Sequence, residues 1–202
     1  MSTPGLRRIV VASGNAGKLA EFNRLLGEAG FEFVAQGELG VEDIPETGLT
    51  FVENALLKAR HAARVTGLPA LADDSGLCVD ALDGAPGLYS ARYAGEPSDA
   101  ARNIDKLLTT LAVVPDEQRG AHFHCTLALL RHPDDPRPLI AQGEWHGRIL
   151  TAPRGTGGFG YDPLFLDPDS GRTAAELDPA TKNRVSHRGQ ALAILQEQLA
   201  RH

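Results

Sequence analysis

The chain has 202 residues, 42% of them hydrophobic and 23% charged, enough to bury a core and unlike the composition of a disordered chain. Its net charge of −6 gives no global positive field to recruit nucleic acid or an anionic membrane surface, so an anionic ligand must be held by a local cation or a metal. The early apolar run at residues 9–12 is too short for a signal-peptide core, and no later run approaches a membrane span; a cytoplasmic protein is expected, with no membrane and no nucleic-acid partner. Cys78 and Cys125 lack paired spacing and read as small hydrophobes in a reducing compartment.

In chain order, residues 9–12 read as a buried strand broken by Ser13-Gly14-Asn15. Leu19, Phe22, Leu25, Leu26 and Ala29 then share one helical face, with Gly30 as the stop. Residues 31–35 read as the next strand, and residues 36–48, with scattered acids, Gly and Pro, as a loop. Thr50 with Glu53 forms a capping box that opens a helix through Phe51, Ala55, Ala59 and Ala62 to Gly67. A short strand at 69–72 ends on Asp73 and Asp74, and a Gly/Pro-rich turn surrounds Ala85-Pro86-Gly87. Ser98 caps a helix with Ile104, Leu107, Leu108 and Leu111 inward. Residues 122–130 and 139–145 read as antiparallel neighbours, 155–160 as a Gly-rich stretch, and Ser186 as the start of a last helix that buries Leu192, Leu195 and Leu199. Helices alternate with strands early and strands cluster later, which predicts an α/β fold with a mixed sheet and no separate linker.

Several motifs carry chemistry. Asp73-Asp74-Ser75-Gly76 places two carboxylates at an expected strand end, where ligand sites of α/β sheets gather, and hard oxygen donors suit a divalent cation that also binds phosphates. The same residues also suit a solvated turn. Ser13-Gly14-Asn15-Ala16-Gly17-Lys18 has the order of an anion site at a helix start, or of a simple strand-to-helix turn. It is not a Walker A motif, which needs Gly where Ala12 stands and Ser or Thr where Leu19 stands. Residues 155–160 match the dinucleotide fingerprint literally, but Pro153 precedes them and Tyr161-Asp162-Pro163 follows, so strand and helix are both missing and NAD binding is rejected. What remains is a loop presenting Phe159 to a base or to the core. Lys182, His187 and Arg188 fall around an expected helix start, an unfavourable place for cations and hence attractive as a ligand contact. His122 and His124 share a strand face without a third ligand, and Ser75 lacks the glycines of a nucleophile elbow. Two rivals are a Mg²⁺ phosphatase with an aspartyl nucleophile, disfavoured because its acids are usually spaced Asp-x-Asp, and a non-catalytic nucleotide binder, which would keep the basic and aromatic positions.

Six blocks in order make a more specific signal. Ser-Gly-Asn-Ala-Gly-Lys (13–18), Glu-Thr-Gly-Leu-Thr-Phe-Val-Glu-Asn-Ala (46–55), Ala-Asp-Asp-Ser-Gly-Leu (72–77), Gly-Ala-Pro-Gly-Leu-Tyr-Ser-Ala-Arg-Tyr (84–93), Gly-Gly-Phe-Gly-Tyr-Asp-Pro (157–163) and Ser-His-Arg-Gly-Gln-Ala-Leu (186–192) resemble the inosine triphosphate pyrophosphatase family, in particular its bacterial XTP/dITP diphosphatases. The resemblance implies hydrolysis of XTP, ITP and dITP to the monophosphate and pyrophosphate. It also implies a single two-lobed domain over residues 1–202, an elongated mixed α/β sheet with flanking helices, lobes around a central cleft, and a homodimer. Matching positions imply Ser13, Gly14, Asn15, Ala16, Gly17, Lys18 and Lys58 at the phosphates, and Glu46 and Asp74 on Mg²⁺ with Asp73 close by. They make Asp74 the proton acceptor and Ser75 a neighbour of the substrate, and they put Phe159, Gly160, Tyr161, Asp162, Lys182, His187 and Arg188 at the nucleoside.

Overall fold

A computed structural model describes residues 7–13, 19, 22–23 and 30–201. Seven strands form one mixed sheet in the order β2-β1-β3-β4-β5-β6-β7. They are β1 (Arg7–Val11), β2 (Phe31–Ala35), β3 (Ala70–Val79), β4 (Gly120–Leu130), β5 (Leu139–Ile149), β6 (Phe165–Asp167) and β7 (Arg172–Thr173). Helices among the described residues include α1 (Phe51–Thr66), α2 (Ala100–Thr110), α3 (Pro179–Val185) and α4 (His187–Ala200), with short 3-10 turns between several elements. β1 runs parallel to both β2 and β3, whereas β6 runs antiparallel to β5 and β7. The expected α/β mixed sheet is therefore present. Most of the helix face expected at residues 19–29 lies outside the described residues; Phe22 is described and is fully buried, its ring 6.1 Å from that of Phe33.

The chain divides into two compact units, the first comprising Met1–Asp74, Thr126–Gln142 and Ala191–His202. Its β1 buries Ile9, Val10 and Val11, as an interior parallel strand must. α1 begins as its capping box requires: Thr50 Oγ1 accepts from Glu53 N, and the Glu53 carboxylate accepts from Leu49 N and Thr50 Oγ1. Gly67 closes the helix in the left-handed conformation, φ 68°. The buried face of α1 is almost entirely alanine (Ala55, Ala59, Ala62, Ala63), packed with Val10, Ala12, Ala70 and Ala72.

The second unit comprises Ser75–Cys125 and Gly143–Gln190. Phe123, Trp145, Tyr161, Phe165, Leu107 and Leu111 dominate its core. On β4 and β5 the contacts His122–His146, His124–Glu144 and, in the first unit, Thr126–Gln142 step in opposite directions, the antiparallel arrangement expected of this pair. No disulfide involves Cys78 or Cys125.

Four expectations need correction. β3 does not stop at Ala72 but runs through Asp73, Asp74, Ser75 and Gly76 to Val79, because the apolar pattern resumes at Leu77 and Gly76 lets Gly87 come close. A Cβ at Gly76 would stand 2.3 Å from the Gly87 carbonyl oxygen. α2 is capped by Asp99, which accepts from Arg102 N; Ser98 instead donates to the Ala91 carbonyl. A separate helix, α3, precedes Ser186, capped by Asp178 and opened by Pro179. Lys182 thus lies in the last turn of α3, where a cation is favourable, and the helix-dipole argument holds only for His187 and Arg188.

Candidate active site

The acidic pair of β3 still reaches a sheet boundary, though by a different route from the one expected. β1 pairs with β3 only as far as Val11 opposite Leu71, and Ala12 N donates to Leu71 O. β3 therefore outruns its parallel neighbour, and Asp73 and Asp74 follow where β1 has ended. Successive strand residues project to opposite faces. Asp73 is buried, whereas the Asp74 side chain keeps 11% of its exposure and meets α1.

α1 supplies the partners. Lys58, one turn beyond Asn54, places its Nζ 2.5 Å from Glu46 Oε1 and 3.6 Å from Asp74 Oδ1. Asn54 donates from Nδ2 to Asp74 Oδ2 at 3.1 Å and accepts from Gly48 N at Oδ1 at 2.8 Å. Burial raises the Asp74 carboxyl above its ordinary range; Lys58 opposes the rise, Glu46 adds to it, and Asn54 and Asp73 contribute less. Burial also works against the Lys58 ammonium, but Asp74, Glu46 and Asp73 outweigh it and raise its pKa. Among the described residues, Glu46 and Asp74 converge on the Lys58 ammonium, and Asp73 adds its negative charge from the other face of β3. That donor set fits a hard divalent cation. Among the described residues no three His, Cys, Asp or Glu side chains are grouped to hold a metal by themselves. His122 and His124 are accounted for otherwise: the His122 ring lies 5.3 Å from that of His146, and His124 and His146 both face the Glu144 carboxylate, at 3.2 Å each.

Of the expected phosphate loop, Ser13 is described and its N donates to Val11 O at the end of β1. Gly14, Asn15, Ala16, Gly17 and Lys18 lie outside the described residues. Ser75 is half-buried within β3.

In the second unit the loop after Pro153 is built around Asp162. Its buried Oδ2 accepts from Phe159 N and from Lys182 Nζ. Gly158 has φ 74°, and a Cβ there would stand 2.1 Å from that oxygen, so only glycine permits this turn. Phe159 is left 68% exposed with Lys182 Nζ 5.1 Å from its ring centroid, a flat apolar face beside a cation. Gly160 completes the turn in the left-handed region. Tyr161 turns inward: it is buried and donates to Ser90 O at 2.9 Å, and burial pushes its phenol well above the usual range. His187 stacks on Phe123, centroids 5.0 Å apart, and Arg188 follows it on the first turn of α4.

The structure thus brings Glu46, Lys58 and Asp74 together, and separately Phe159, Asp162 and Lys182. Sequence reasoning missed Asn54 and Ser90. Ser90 Oγ accepts from Leu77 N and donates to Gly87 O, fastening residues 87–92 to β3 beside Gly76. A polar residue on the alanine face of α1 was the available signal for Asn54.

The model of the Ham1 family matches residues 9–198. Over 194 residues the chain is 66% identical to the dITP/XTP pyrophosphatase of Xanthomonas campestris pv. campestris (strain 8004), covering 96% of this chain and 98% of that protein. The dITP/XTP pyrophosphatase of Escherichia coli (strain K12) is 57% identical over the same shares. The solved structure of a HAM1 protein from Coxiella burnetii superposes with a TM-score of 0.94 at 54% identity, covering 97% of this chain and all of that one.

Proposed function

The chain belongs to the Ham1 family, and from that premise we propose that it hydrolyses deaminated purine nucleoside triphosphates (XTP, ITP and dITP) to the nucleoside monophosphate and pyrophosphate, removing them from the nucleotide pool. The observation that carries this reading is the convergence of Glu46 and Asp74 on Lys58 Nζ, a half-buried charged group built for phosphate and cation.

Attack of water on a phosphoryl group needs positioning and charge neutralisation more than covalent help. Glu46 and Asp74 would hold Mg²⁺, with Asp73 adding negative charge from the opposite face of β3. When bound, the ion supplies charge neutralisation for phosphate oxygens and acidifies water. Asp74 accepts the proton of the attacking water. Lys58 and the 13–18 segment (Ser13, Gly14, Asn15, Ala16, Gly17, Lys18) bind the triphosphate, and Ser75 lies beside it.

Phe159 offers its exposed face to the purine, and Gly160, Tyr161 and Asp162 hold the loop that presents it. Lys182, His187 and Arg188 offer donors to the 6-oxo group of hypoxanthine or xanthine. Adenine carries a 6-amino donor there, and a mismatched buried donor costs about 1–3 kcal/mol. A cytoplasmic homodimer completes the reading, with residues 1–202 acting as one domain. Among the described residues no helix is long and apolar enough to cross a membrane.

The test is incubation with ITP and Mg²⁺ followed by separation of products. IMP and pyrophosphate in equal amounts support the reading; IDP and orthophosphate, or no turnover, contradict it.

A further inference from the structure

The roles above leave Asn54 without a task, although it is the polar side chain on the buried alanine face of α1 and is 2% exposed. Both ends of its amide are used. A backbone N–H can only donate, so the oxygen must face Gly48 N and the NH₂ must face Asp74. That orientation fixes the rotation of the Asp74 carboxylate, with Oδ2 accepting from Asn54 and Oδ1 lying 3.6 Å from Lys58 Nζ. Gly48 lies two residues after Glu46, so the same side chain also fastens the segment that brings the second carboxylate.

We propose that Asn54 is a positioning residue for hydrolysis: it fixes the rotation of the Asp74 carboxylate and ties the Glu46 segment to it through Gly48. The inference rests on the function proposed above. A second handle on the same tie exists. A Cβ at Gly48 would stand 2.7 Å from Asn54 Oδ1 and 2.7 Å from Glu53 Cβ, so the segment lies this close only because residue 48 has no side chain. The Thr50–Glu53 cap anchors the start of α1 independently, so loss of the Asn54 bonds leaves the helix start in place.

The experiment compares wild type, Asn54→Leu and Gly48→Ala by ITP kinetics and by Mn²⁺ titration followed by electron paramagnetic resonance without nucleotide. Loss of a group that orients a ligand typically costs about 10–100-fold in activity or metal affinity. Asn54→Leu is expected to lower kcat by that factor with KM within about threefold, and to weaken Mn²⁺ binding comparably. Gly48→Ala should show the same split to a smaller degree, and it keeps the test alive if the leucine variant does not fold. Folded variants with kcat and Mn²⁺ affinity both within about twofold of wild type would overturn the proposal. A wild-type chain inactive on ITP would sink the function reading instead, because the Mn²⁺ titration reads the carboxylates without substrate.

Discussion

In the first unit α1 meets the sheet through Ala55, Ala59, Ala62 and Ala63, whereas the second unit is filled by Phe123, Trp145, Tyr161 and Phe165. Small side chains bring a helix close to the strands it covers and leave it little freedom to shift. Asn54 and Lys58, carried on that helix, are thereby held at fixed reach of Asp74. The second unit instead builds broad rings around His187 and exposes one more, Phe159, above Lys182. The contrast teaches a division of labour. On the proposed roles, the charged groups are supported by alanine, and the face offered to the base is supported by aromatic rings. Altering the first unit should therefore change the rate of the chemical step, and altering the second should change which nucleotide is preferred.

The largest expected effect is from Asp74→Asn, which on the proposed roles removes a metal ligand and the proton acceptor with little change of volume. kcat should fall by about 10²–10⁴-fold while circular dichroism and Tm show an intact fold; near wild-type turnover would remove Asp74 from the chemistry. Next is Lys58→Met, which keeps the aliphatic stem but leaves Glu46 and Asp74 facing one another. A loss of about 10²-fold in kcat/KM for ITP is expected, and an unchanged value would show that phosphate charge is met elsewhere.

In the second unit Lys182→Ala and Arg188→Ala should lower the ratio of kcat/KM for ITP over ATP by about 5–100-fold, more than they weaken triphosphate binding. If the ratio holds in both variants, backbone amides read the 6-oxo group and the division of labour is wrong on that side.

The smallest effect on activity belongs to a control in the first unit. Asp135, between β4 and β5, is buried and accepts from Arg131 N, Nε and NH2 and from Arg137 N. The Arg131 hydrogen bonds, against the opposing effect of burial, hold its carboxyl far below the usual range. A depressed folded-state pKa contributes stability above the unfolded value near ~4, and that contribution fades as pH falls below it. Asp135→Asn should therefore lower Tm at pH 7 by several degrees, flatten the acid side of the Tm–pH curve, and leave kcat for ITP unchanged. A matching loss of kcat would mean that rigidity throughout the unit, and not local charge placement, sets the rate.

Much of the fold was legible in the sequence because its signals are local. The Thr50–Glu53 cap, the Gly67 stop and the apolar runs of β1 and β2 each depend on a few adjacent residues. β3 was cut short because two consecutive acids look like a strand end, when a neighbouring strand stops there instead and the apolar pattern resumes at Leu77. α3 was hidden by its brevity, although Asp178-Pro179 carries both a cap and an N1 proline. Glu46 and Asp74 could be named from motif blocks, and Lys58 as a further candidate cation just beyond one. Their convergence could not, because the residues are 12 and 16 apart in sequence and meet only once α1 has packed. Asn54 escaped for the same reason: its partners lie on either side of it in the chain, and a buried amide announces itself only when burial is known.

The proposed roles of Glu46, Lys58 and Asp74 require that water attack the α-phosphorus. Hydrolysis of ITP in ¹⁸O-labelled water, with IMP and pyrophosphate separated and weighed by mass spectrometry, addresses that directly. Attack at the α-phosphorus, with Asp74 taking the proton and pyrophosphate leaving in one step, predicts label in IMP, none in pyrophosphate, and no IDP at any time. Label in pyrophosphate would place the attack on the β-phosphorus and contradict the roles given to Glu46, Lys58 and Asp74, even with ITP as the substrate.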